Sequence, residues 1–155
     1  MTMHLALTLH LLGVIVWVGG MFFAYMALRP AAVEILQAPF RLRLWEAVFK
    51  RFFPWVWLAI VFILGSGYYI IFGLIGGFAN TAVYVHIMHG LGIVMVLIYL
   101  HVFFAPFNRL KKSNATESWE QAGAALAQIR WLIALNLTIG LIIVVVTTAG
   151  RYFLK

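Results

Sequence analysis

Three histidines stand where a histidine is hard to keep. His10 lies inside the first long apolar run of the chain, and His86 and His89 lie just inside the third. An imidazole held at hydrocarbon depth is costly, so one found there marks a functional site by default. Neutral imidazole ligates haem iron and binds transition-metal ions. Alternate spans enter a membrane from the same side, so the starts of the first and third runs share a leaflet. The three histidines are therefore expected to converge at one level of a helix bundle. That is the chemistry of axial haem ligation or of metal-ion capture.

Depth selects a pair. His10 lies almost as far from Arg29, at the end of the first run, as His89 does from Arg109, just beyond the third. Both sit roughly 30 Å from those charges if the helices are straight. His10 with His89 is thus the preferred axial pair, with His86 as the alternative ligand or a partner for a propionate. Gly13 beside His10, and Gly90 and Gly92 beside His89, let a flat macrocycle approach the helix backbone, and equally let two helices approach each other. Trp17, nearly two turns beyond His10, is expected against the haem edge or in packing. Met21, Met26, Met88 and Met95 are soft donors suited to Cu(I), and equally good packing groups. His101 stands apart near the other end of the third run, where a hydrogen bond to Asn136 is expected.

The elements that must position these groups are spans. Of 155 residues, 65% are hydrophobic and 10% charged, against about half and about a quarter in soluble domains. The absence of cysteine excludes disulfides, thiolate metal sites, iron–sulfur clusters and cysteine nucleophiles. Four runs are long enough to cross about 30 Å of hydrocarbon: residues 5–28, ending at Arg29-Pro30; 55–74, opened by Pro54 and closed by glycines; 82–105, ending at Pro106; and 131–153. The first run lacks a charged leader, so no cleaved signal peptide is expected. The expected fold is all-α, one four-helix transmembrane bundle over residues 1–155.

Basic residues orient it. Arg29, Arg41, Arg43, Lys50 and Arg51 follow the first span, and Arg109, Lys111, Lys112 and Arg130 follow the third, whereas the outer segments carry only Arg151 and Lys155. The positive-inside rule puts both long loops in the cytoplasm and both termini outside, periplasmic in a bacterial inner membrane. The net charge of +7 then reflects topology and lipid contact rather than nucleic-acid binding. Phe40, Leu44, Val48, Phe49 and Phe52 at helical spacing among cations predict a short amphipathic helix on the inner membrane surface. Ser113, Asn114 and Thr116, followed by Glu117 and Glu120, predict the start of a helix that runs into the fourth span. The Asn114-Ala115-Thr116 glycosylation pattern falls on the cytoplasmic side and is expected to be idle.

The first span reads His10, Trp17, Gly19-Gly20, then Arg29-Pro30. This resembles the CopD-like integral membrane proteins, grouped in a superfamily with the HemJ-type protoporphyrinogen oxidases. Tyr84 and His86 are similar to the opening of the third HemJ helix, although Met88 stands at the HemJ lysine position and the HemJ arginine falls closer to the histidine than Arg29 does. The resemblance implies a membrane bundle linked to b-type haem or to copper handling, and the HemJ pattern favours His86 where depth favours His89.

The leading expectation is a haem b protein, ligated by His10 and His89 or His86, that passes single electrons near the periplasmic face. It would be an oxidoreductase working with a quinone or a redox partner protein. The alternatives are a CopD-type copper-transport or copper-resistance protein using the same histidines, a HemJ-like oxidase, and an accessory subunit of a respiratory complex. The assembly stays open between a homo-oligomer and a subunit of a larger membrane complex.

Overall fold

The computed structural model describes residues 2–153, with side chains through residue 150. The tail cations Arg151 and Lys155 lie outside the described side chains. Among the described residues the chain is helical nearly throughout and forms no strand. Four long apolar helices make the bundle: α1 (Met3–Ile35), α2 (Ala38–Ile75), α3 (Val83–Ala115) and α4 (Trp119–Phe153). This is the expected four-helix transmembrane architecture.

The helices outrun the expected spans toward the end that carries the basic loops. Pro30 does not stop α1, because the chain is wound as a π-helix over Ala24–Leu28 just before it. A wider turn there accommodates a residue that has no N–H and a bulky ring. Pro54 lies inside α2 rather than opening a span. The segment expected on the membrane surface is therefore the first half of α2. Its buried face is Leu42, Trp45, Phe49, Phe53 and Val56, rotated from the expected stripe, and Phe40 is exposed. The cause is tertiary: Phe49 and Phe53 pack edge-on against Phe107 of α3, with centroids at 6.1 and 4.8 Å. The aromatic stack continues through Tyr99, whose hydroxyl donates to the Phe53 carbonyl at 3.1 Å. A face buried against a second helix is no longer available to lipid.

Pro106 bends α3 without ending it. Ala105 leaves the helical region (φ −107°, ψ −84°), and the helix restarts with proline in its first turn, where the missing N–H costs nothing. The predicted capping residues act at a different terminus. Ser113 and Asn114 belong to the last turn of α3, where Ser118 N–H donates to the Ser113 carbonyl and Glu117 N–H to the Asn114 carbonyl. This is a Schellman closure with Glu117 at φ +55°, a position glycine usually fills. Arg43 of α2 bridges to Glu117 at 2.8 Å and lies over the Trp119 ring, tying α2 to the start of α4. At the other end, α2 closes on Gly76 (φ +88°) and Gly77 (φ +115°), which turn the chain into α3 within a few residues.

The helices pair, α1 along α2 and α3 along α4. The pairs meet mainly in the half of the bundle toward the basic loops, where α2 contacts both α4 and the Pro106–Ala115 segment of α3. Toward the histidine end, a cavity of about 290 Å³ opens between them, lined by all four helices.

Candidate functional site

His10 and His89 both line this cavity, one from each helix pair, and Trp17 lines it as well. His10 is positioned by α2. Its Nδ1 lies 3.1 Å from the Ile63 carbonyl oxygen and 3.2 Å from Ser66 Oγ. A carbonyl oxygen only accepts, so Nδ1 carries the proton and Nε2 keeps its lone pair. Ser66 Oγ in turn donates to the Phe62 carbonyl, which leaves its own lone pairs to share the Nδ1 proton. A backbone carbonyl behind the ring is the usual outer support of a histidine that ligates through its other nitrogen. Gly67 places no side chain between α2 and the ring; a Cβ there would lie 3.5 Å from His10 Cε1.

His89 is held by ring contacts. It meets Tyr68 edge-on with centroids at 5.4 Å and Phe78 at 5.0 Å. His86 is exposed and faces elsewhere: it stacks on Phe78 at 5.6 Å, with Nε2 3.3 Å from Thr81 Oγ1, and it is not part of the cavity wall. Of the three expected histidines, His10 and His89 line this cavity and His86 does not. Both rings of the third helix touch Phe78, but of the two only His89 also reaches Tyr68 and the cavity wall. Among the described residues no group of three or more histidine and acidic side chains comes together.

The remaining wall is apolar, with two additions. Met88 and Met95 line the same cavity as the two imidazoles, whereas Met21 is buried in the core and Met26 is exposed. Thr147 and Thr148 also line it, their hydroxyls donating back to carbonyls of their own helix. The wall contains no carboxylate. Two imidazoles and two thioethers thus line one apolar chamber, and side chains of these types favour Cu(I) over hard divalent cations.

Gly13 and Gly92 divide between the two roles open to them. Gly13 faces α2, where a Cβ would lie 2.8 Å from Ile63 Cγ1 and 2.9 Å from the Ala59 carbonyl oxygen, so it serves helix–helix approach. Gly92 lines the cavity and would meet nothing within 4 Å. His101 and Asn136 do not pair. His101 accepts from Gln128 Nε2 at 3.4 Å on an exposed face, and Gln128 Oε1 accepts from Arg109. Asn136 is buried and donates to the Met95 carbonyl at 3.3 Å, nearly two turns from His101. The contributions of α2 were not anticipated; the signal was Gly65-Ser66-Gly67, a hydroxyl between two glycines in an apolar span.

A family model described as copper resistance protein D matches residues 46–149. The match takes in α3 and most of α2 and α4, including Ile63, Ser66 and His89, and begins beyond His10 and Trp17. No curated protein and no solved structure matches the chain.

Proposed function

The chain belongs to the copper resistance protein D family, and from that premise we propose that it takes copper(I) as cargo into the cavity between its helix pairs, in a copper-transport or copper-tolerance role. The observation that carries this reading is the composition of one wall: His10, His89, Met88 and Met95 line a single apolar chamber that offers no carboxylate. Nε2 of His10 is the free donor, because Nδ1 is committed to Ile63. The four apolar helices make the chain an integral membrane protein. In the proposed orientation both basic loops face the cytoplasm, and the histidine cavity lies toward the periplasm of a bacterial inner membrane.

The test is a Cu(I) titration of the full chain in detergent under reductant, against a coloured Cu(I) chelator. The expected result is one copper bound per chain, lost in His10→Ala and in His89→Ala. A wild-type protein that takes no more copper than the double variant would refute the proposal.

A second reading has the same two imidazoles hold a b-type haem, which would exchange single electrons with a quinone or a partner protein. The donors fit, since they come from opposite helix pairs and Gly92 leaves an open wall beside His89. The space fits less well. At about 290 Å³ the cavity is at the lower edge of small-molecule sites, which run from about 300 to 1,000 Å³. It takes an ion as it stands, while a macrocycle requires the pairs to part. When bound, such a haem supplies reversible one-electron chemistry; the residues of this chain supply its ligation and an apolar surround. A Soret band in the purified protein, lost with His10→Ala, selects this reading over copper.

A further inference from the structure

A second cavity, of about 510 Å³, lies between the helix pairs nearer the basic loops. Trp17 lines both cavities, so its indole is common to the two walls. The second differs from the first in its walls: it carries no histidine, it is faced by the aromatic rings of Phe49, Phe52, Phe53 and Tyr99, and its one charged group is Arg51, exposed at the rim with Nη1 donating to the Ala47 carbonyl of its own helix. Phe23 and Trp55, also in its wall, are 61% and 59% exposed on the outside of the bundle. In a chain that spans a membrane these two rings face hydrocarbon, so the cavity has a lipid-facing side, with Arg51 at its rim.

One polar group in this wall is unfinished. Asn136 is 3% exposed, and its Oδ1 has no hydrogen-bond partner. Its Nδ2 is already committed to the Met95 carbonyl, and that bond fixes Oδ1 as the end of the amide left without a partner. A buried acceptor left unpaired is costly, and only a donor relieves the cost. We infer that this cavity binds a lipid-soluble aromatic molecule bearing a hydroxyl, a quinol or phenol, whose O–H donates to Asn136 Oδ1. The aromatic walls suit a flat ring, and the lipid-facing side suits an apolar tail. The corresponding quinone is disfavoured, because its carbonyl has nothing to donate to Oδ1. The inference does not depend on what the histidine cavity takes up.

The experiment uses the full chain in detergent and a decyl-tailed benzoquinol, with its quinone and its dimethyl ether as comparators, read by quenching of tryptophan fluorescence. Saturable binding of the quinol is expected, with the quinone and the ether about tenfold weaker, the size of one hydrogen bond to a buried acceptor. Asn136→Leu is expected to bind all three alike, while Thr148→Ala, in the other cavity, keeps the preference. Equal binding of quinol, quinone and ether by the wild type overturns the inference, as does a preference that survives in Asn136→Leu. Should Asn136→Leu not fold, the wild-type comparison of quinol with ether decides alone, because the two differ at the donors.

Discussion

Nδ1 of His10 on the first helix lies 3.1 Å from the Ile63 carbonyl oxygen on the second. A backbone group of one span thereby sets the tautomer of an imidazole on its neighbour. Any chemistry at Nε2 inherits that arrangement, and the first helix is held in register with the second by the same bond.

Copper retention therefore separates the histidines. His10→Ala and His89→Ala are each expected to weaken Cu(I) binding by well over tenfold, whereas His86→Ala and His101→Ala, whose rings lie off the cavity, change it by less than about twofold. Ser66→Ala falls between, near the lower end of the about 10- to 100-fold effects of outer-shell substitutions, because the Ile63 carbonyl remains. Chelator competition measures all five, and equal losses in His86→Ala and His89→Ala would contradict the assignment.

The glycines of α1 are expected to differ sharply. Gly13→Ala sets a Cβ 2.9 Å from the Ala59 carbonyl oxygen, a backbone atom that cannot swing aside, and should cost about 1–3 kcal/mol as an overpacked contact. Gly19→Ala meets nothing within 4 Å and should be neutral or slightly stabilising through helix propensity. Thermal unfolding in detergent compares them; an equally stable Gly13→Ala would mean that α1 and α2 are not so closely apposed.

Asn114 ties the turn between α3 and α4 to α2. It donates through Nδ2 to the Leu42 carbonyl at 3.2 Å and to Glu46 Oε2 at 2.7 Å, and it is buried. Asn114→Ala leaves those acceptors short of a donor and should destabilise by about 1–3 kcal/mol. The same burial keeps Asn114 from glycosylation on whichever side it lies. A stability unchanged by the substitution would show that water replaces the amide.

The orientation is testable because the chain has no cysteine, so each introduced thiol is the sole target. In intact cells an impermeant maleimide is expected to label Ala79→Cys, at the glycine turn, and to reach Lys112→Cys only after permeabilisation. Both residues are exposed. The opposite pattern would invert the bundle in the membrane.

Much of the architecture was legible because the bilayer imposes it. Spans must be apolar and about 20 residues long, and that signal survives without any knowledge of contacts. Boundaries were less legible. Pro30 and Pro54 read as stops, yet π-helical winding before the one and aromatic burial around the other carry both helices through. The face of α2 was misread for the same reason. Phe40 and Phe49 look alike in a periodic stripe, and only the position of Phe107 buries one and leaves the other exposed.

By itself, the order of residue types determined that this chain crosses a membrane four times and set His10 and His89 at similar distances along the chain from Arg29 and Arg109, since spans follow from rise per residue and the cost of burying polar groups. The angular placement of side chains depends on how helices rotate and pair, and that is a property of contacts distant in the chain. Hence tertiary structure alone decided that His86 turns to Phe78, that Gly13 serves packing, that the Gly65-Ser66-Gly67 segment supports His10, and that the amide of Asn136 is left with one bond unmade.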